Sequence, residues 1–129
     1  MRPLRFASLW VAVGWLLVAG LVAVSLVTVP VEAPKLPFVD KLAHLVVYLL
    51  VMAWFAQIWS SWRALSAHAC FLVLLGVALE LLQGASGHRS AEAVDAVANA
   101  AGVLLGTLTA RTPASGLLAR LEARLRWPR

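Results

Sequence analysis

Four stretches of roughly 20 nearly uncharged residues recur in this 129-residue chain, over about 6–29, 41–59, 64–83 and 92–110. That recurrence constrains the fold more than any motif. A hydrocarbon layer about 30 Å thick is crossed by about 20 residues of α-helix. A chain this short and uniformly apolar cannot close a transmembrane barrel, and an open sheet in lipid would leave backbone groups unpaired. The expected fold is therefore all-α, an integral membrane bundle of four transmembrane helices.

The connection at 60–63, Ser-Ser-Trp-Arg, is short enough to force an antiparallel hairpin between the second and third spans. The longer connections are the proline-bearing stretch 30–39 and the polar stretch 84–91. Residues 1–110 read as one transmembrane domain and residues 111–129 as a basic cytoplasmic tail. In that tail Leu117, Leu118, Leu121 and Leu125 recur at helical spacing, with Arg120, Arg124 and Arg126 largely elsewhere on the wheel. A short basic amphipathic helix on an anionic membrane surface is expected, the alternative being a frayed cationic tail. The basic start and Val-Glu-Ala at 31–33 resemble a cleavable signal, but signal cores span about 7–15 residues and this one is longer, so the first helix is expected to be retained.

Charge sets the orientation. Arg2, Arg5, Arg63, Arg111, Arg120, Arg124, Arg126 and Arg129 fall on one side of a four-span chain, and Lys35, Lys41 and Arg89 on the other. The positive-inside rule makes both termini cytoplasmic. Trp10, Trp59, Trp62 and Trp127 fall near that same boundary, where indoles keep their N–H groups wet. The net charge of +5 is thereby explained without nucleic acid, and no aromatic platform interleaves with it. The lone Cys70 excludes an internal disulfide.

With this topology the polar residues gather at the outer face. Asp40, His44 and Tyr48 step down one stripe of the second helix. Glu80 and Gln83 share a face of the third; Asp95 and Asn99 share a face of the fourth, with His88 and Arg89 in the connection above them. The inner ends offer only Gln57, Ser66 and His68. An ionisable side chain inside the hydrocarbon layer costs about 2.5–3.5 kcal/mol on insertion scales, so Glu80, Asp95 and His44 are expected to face one another or a wet pocket.

The set DKxxHxxxY at Asp40, Lys41, His44 and Tyr48, ExxQ at Glu80 and Gln83, and Arg89 followed by DxxxN and GxxxG at Asp95, Asn99, Gly102 and Gly106 resembles the VanZ-like family. The resemblance covers about residues 38–108. It implies a multi-pass helical protein of the bacterial cytoplasmic membrane, in a family named after a protein associated with teicoplanin resistance. It implies no established reaction, and the resistance phenotype is not carried over.

Each residue also has a structural reading. Asp40 could be the N-cap of the second helix, and Lys41 a headgroup anchor. His44 could make a structural hydrogen bond to Glu80 or Asp95, or move a proton; Tyr48 is expected to bond into the cluster. Ser90 is expected to cap the fourth helix with Glu92 in its first turn. Asn99 could bond across helices. Ala98, Gly102 and Gly106 form a small-residue ridge for close helix packing, inside the bundle or against another copy or a partner membrane protein.

No GxSxG, P-loop, HExxH or CxxC is present, so hydrolase, nucleotide and standard zinc readings lack support. His44, Glu80, Asp95 and His88 lack the tight spacing of a metal set, so no metal and no cofactor are expected. The preferred expectation is an outward-facing pocket of Asp40, Lys41, His44, Tyr48, Glu80, Gln83, Arg89, Asp95 and Asn99. It would bind a phospholipid or lipid-linked envelope precursor, with Lys41 and Arg89 holding anionic oxygens. If the protein is an enzyme, His44, Glu80 and Asp95 are its candidate catalytic groups. The alternative is a non-enzymatic scaffold whose polar cluster is structural.

Overall fold

A computed structural model describes residues 1–27, 37–85 and 92–125. Five α-helices follow one another among them: α1 (Ala7–Leu26), α2 (Pro37–Ile58), α3 (Trp62–Ala85), α4 (Ala93–Leu108) and α5 (Leu117–Arg124). Two 3-10 turns, Thr109–Arg111 and Pro113–Gly116, lead from α4 to α5. Four of these segments are long and apolar enough to cross a membrane: Ala7–Leu26, Phe38–Ile58, Trp62–Ala85 and Ala93–Arg111.

Cross-helix bonds fix the up-and-down order. Lys41 near the start of α2 meets Asp95 near the start of α4, and Gln83 near the end of α3 donates to the Ser25 carbonyl at the end of α1, 2.6 Å away. At the opposite end, the Arg2 amide donates to the Ile58 carbonyl over 2.8 Å and its guanidinium reaches the Ala56 and Ala110 carbonyls. Ser61 closes the α2–α3 hairpin by accepting from the Ala64 amide, the usual N-cap pattern.

α2 is the central helix, touching α1, α3, α4 and α5, with its most extensive interface along α4. The reason is glycine. A Cβ at Gly102 would lie 2.2 Å from the Leu45 carbonyl oxygen, and one at Gly106 2.6 Å from that of Leu49. The ridge anticipated at Gly102 and Gly106 is thus covered by α2 of the same chain, which gives it an intramolecular role. Below it lies an apolar layer of Val51, Met52, Phe55, Leu72 and Val103, all buried. The His68 ring sits half-buried among Phe55, Trp59 and Trp15, and its Nδ1–H donates to the Ala64 carbonyl, so this histidine has a hydrogen-bond partner within its own helix.

Two local expectations are corrected. Pro37 opens α2, which places Asp40 inside the first turn rather than at the N-cap; proline at the first helical position sacrifices an amide that would be unpaired anyway. Glu92 is itself the residue preceding α4, without a side-chain cap bond. Ser90, Trp127 and the Val-Glu-Ala stretch at 31–33 lie outside the described residues.

The segment after residue 110 packs against α2. Gln57 donates to the Ala114 carbonyl over 2.7 Å and accepts from the Leu118 amide, and Leu118 is buried. Glu122 takes the Arg5 and Phe6 amides at 2.7 and 2.9 Å and the Trp10 indole N–H at 2.7 Å. Partial burial pushes the Glu122 carboxyl up, but those three donors and the nearby Arg5 charge outweigh it and hold the group below its ordinary value. One carboxylate therefore satisfies orphan amides at the start of α1 and tethers α5 to it.

Candidate functional site

Asp40, Lys41, His44, Tyr48, Glu80, Asp95 and Asn99, all singled out from the sequence, meet where α2, α3 and α4 share one end of the bundle. They do so because each helix presents its polar stripe toward the others, leaving leucine and valine outside: Leu42, Leu50, Leu81, Leu82, Val94 and Val97 are all exposed. Asp95, Asn99, Tyr48 and Glu80 are buried in this cluster, at 0, 2, 2 and 4% exposure. Asp40, Lys41 and His44 form its accessible edge.

His44 is the hub. Its Nδ1 lies 3.0 Å from Asn99 Oδ1, which as a carbonyl oxygen accepts, so Nδ1 carries the proton of this bond. The same nitrogen is 3.9 Å from Glu80 Oε1, while Nε2 is 4.0 Å from both Asp40 Oδ1 and Asp95 Oδ2. These longer separations exceed a direct hydrogen bond and suit ion pairing or one intervening water.

Lys41 spans two helices, with Nζ 2.7 Å from Glu92 Oε2 and 2.9 Å from Asp95 Oδ1. Its ammonium bridges those two carboxylates and remains partly exposed at the cluster's edge. Glu92 enters the cluster through this pair, a contact that its place in the sequence, beside the helix start, did not reveal. Gly76 was also missed. The Asn99 amide nitrogen and the Tyr48 hydroxyl each lie 3.2 Å from where its Cβ would be, so the glycine makes the room both polar groups occupy.

The Gln83 amide ties α3 to α1. His88 and Arg89 lie outside the described residues. Ala98 is half-buried next to Asn99, and Gly102 and Gly106 follow it along the α2 contact.

Asp40, His44 and Asp95 each offer a donor atom, all within 4.8 Å of one another, so these three could hold a metal ion. The set comes from a helical i,i+4 pair plus a residue of another helix, a combination without linear spacing. Lys41 already places a cation on Asp95.

Chemically, the cluster offers a histidine with fixed orientation flanked by carboxylates, at an edge where a polar group could approach. Comparison with protein-family models, curated proteins and solved structures gives no match to this chain.

Proposed function

We propose that this is a VanZ-like protein of the bacterial cytoplasmic membrane, with both termini cytoplasmic, whose outer-face cluster binds a lipid or lipid-linked cell-envelope molecule. The observation that carries the reading is the convergence of Asp40, Lys41, His44, Tyr48, Glu80, Asp95 and Asn99 from three helices around one partly open histidine. Ionisable groups at membrane depth are costly, and a cluster of them open along one edge is the usual mark of a binding or proton-handling site. The orientation is supported by the gathering of Arg2, Arg5 and Arg111 at the other end of the bundle, where the cytoplasmic side is expected to be arginine-rich.

In this reading a headgroup approaches along the Asp40–Lys41–His44 edge, and His44 with Glu80 or Asp95 can pass a proton to it. Binding is preferred to turnover. The scaffold reading is favoured by one specific feature, the near-complete burial of Asp95, Asn99 and Glu80, which is what a fold-specifying polar network requires.

Lipid mass spectrometry on protein in native nanodiscs, wild type against His44→Gln and Glu80→Gln, separates the two. A lipid lost from both variants, with folded protein undiminished, supports the site. Unchanged lipids remove it, and a loss of folded protein in both supports the scaffold.

A further inference from the structure

Starting from the arginine-rich end, two cavities share a wall and include none of the residues of the histidine cluster in their lining. One, of about 240 Å³, is lined by Ser60, Trp62, Thr107 and Arg111 among others. The second, of about 410 Å³, is an apolar groove along the seam between α3 and α4, with Trp62 and Thr107 again in its lining. Its floor is small because Ala69 and Cys70 of α3 oppose Ala100 of α4. Leu74 and Leu104 form its open rim, both well exposed. A volume of this size lies in the range of ligand pockets, roughly 300–1,000 Å³.

The polar end is built around Arg111, whose guanidinium lies 5.5 Å from the centre of the Trp62 ring. Such stacking holds a cation in place while leaving its N–H edge open to an anion. The apolar end then runs from Trp62 to Leu74 along α3, a rise of about 18 Å. That is about half of a hydrocarbon core roughly 30 Å thick, the depth of one leaflet. A transmembrane helix of a second copy would need a seam through both leaflets. A lipid needs a cationic mouth and one leaflet of groove.

We propose that this seam is a structural site for an anionic glycerophospholipid, with its phosphate on Arg111 beside the Ser60 hydroxyl and one acyl chain lying over Ala69, Cys70 and Ala100. The site is independent of the histidine cluster.

Cys70, the sole cysteine of the chain, lines the groove and supplies a native reporter. Detergent-solubilised protein is titrated with dioleoyl phosphatidylglycerol or dioleoyl phosphatidylcholine. Retained lipid is counted by native mass spectrometry and Cys70 alkylation by N-ethylmaleimide is timed. Wild type is expected to retain one phosphatidylglycerol, preferred about five-fold over phosphatidylcholine, as one interfacial arginine provides, and lipid is expected to slow alkylation. Arg111→Gln equalises the two lipids, whereas Arg63→Gln, at an exposed arginine outside both cavities, keeps the preference. Ala100→Phe fills the groove and releases either lipid; Cys70→Phe, from the opposite and more exposed wall, does the same if Ala100→Phe fails to fold. Equal loss of preference in both arginine variants, full retention in the filled-groove variant, or Cys70 protection that follows protein rather than lipid concentration overturns the proposal. The last outcome would make the seam a contact between copies.

Discussion

Gly102→Ala tests the central packing claim. The added methyl would sit 2.2 Å from the Leu45 carbonyl oxygen and 3.0 Å from the Leu49 amide nitrogen, where an ordinary contact begins at 3.4 Å. Both obstacles are backbone, so no rotamer change relieves them. α2 and α4 must part by about 1 Å, and close-packed interiors resist such shifts. Overpacking of this kind costs about 1–3 kcal/mol. The separation also stretches the Lys41–Asp95 and His44–Asn99 bonds, at 2.9 and 3.0 Å, which cross the same interface. Side-chain hydrogen bonds between membrane helices contribute about 0.6 kcal/mol each, so the total loss is about 2–4 kcal/mol. The control is Gly20→Ala, where nothing lies within 4 Å of the new methyl; it should equal wild type or exceed it by up to about 1 kcal/mol, helix propensity favouring alanine. Unfolding by sodium dodecyl sulfate titration from mixed micelles, followed by circular dichroism, gives both numbers. If Gly102→Ala and Gly20→Ala unfold at the same detergent fraction, the α2–α4 contact does not rest on glycine and the register described here is wrong.

Gln57→Leu removes two bonds, to Ala114 and from Leu118. It should cost about 1–2 kcal/mol and expose the chain beyond residue 110 to trypsin, which a protease time course reads directly. Glu122 titrates below its ordinary value in the folded state, so its contribution is present above the unfolded carboxylate pKa and is lost as pH falls through the lowered folded value. Cleavage near α5 by an acid-tolerant protease should rise across that window in wild type and be pH-independent in Glu122→Gln. Lys41→Met removes the ammonium between Glu92 and Asp95; folded stability should fall, and Lys41→Arg should recover most of the loss in the same detergent titration.

The spans and the convergence of polar stripes were legible in the sequence because both depend on one-dimensional quantities, hydropathy over about 20 residues and helical periodicity. His44, Asp95 and Asn99 could be placed together from those alone. What escaped was contact between partners without a shared period. Gln57 read as an isolated polar residue at the inner ends, although its partners are backbone groups of Ala114 and Leu118, which no side-chain pattern announces. Glu122 sits among arginines, and the basic wheel concealed a carboxylate that bonds the start of α1. Gly102 and Gly106 announced close packing without saying against which helix, since small-residue spacing carries no address. Glu92 and Gly76 matter only through neighbours from other helices, Lys41 in one case and Tyr48 with Asn99 in the other.

Proton-coupled transport makes a demand that this packing opposes. A carrier needs a route from the His44 cluster to the far end of the bundle, and along α2 the interval from Tyr48 to Gln57 is about 13 Å. It is filled by Val51, Met52 and Phe55 of α2, Leu72 of α3 and Val103 of α4, none more than 5% exposed. The hydroxyl of Thr107, just below, already donates to the Val103 carbonyl over 2.8 Å, and the His68 Nδ1 proton to Ala64. Among the described residues, this apolar layer gives a water no polar partner to hold it while a proton crosses. Binding at one face requires no such crossing. Liposomes containing the protein and an internal pH dye should therefore acidify no faster than protein-free liposomes under an imposed gradient. A flux above that background that disappears in His44→Gln would show a conducting path through the layer and make the cluster part of a carrier.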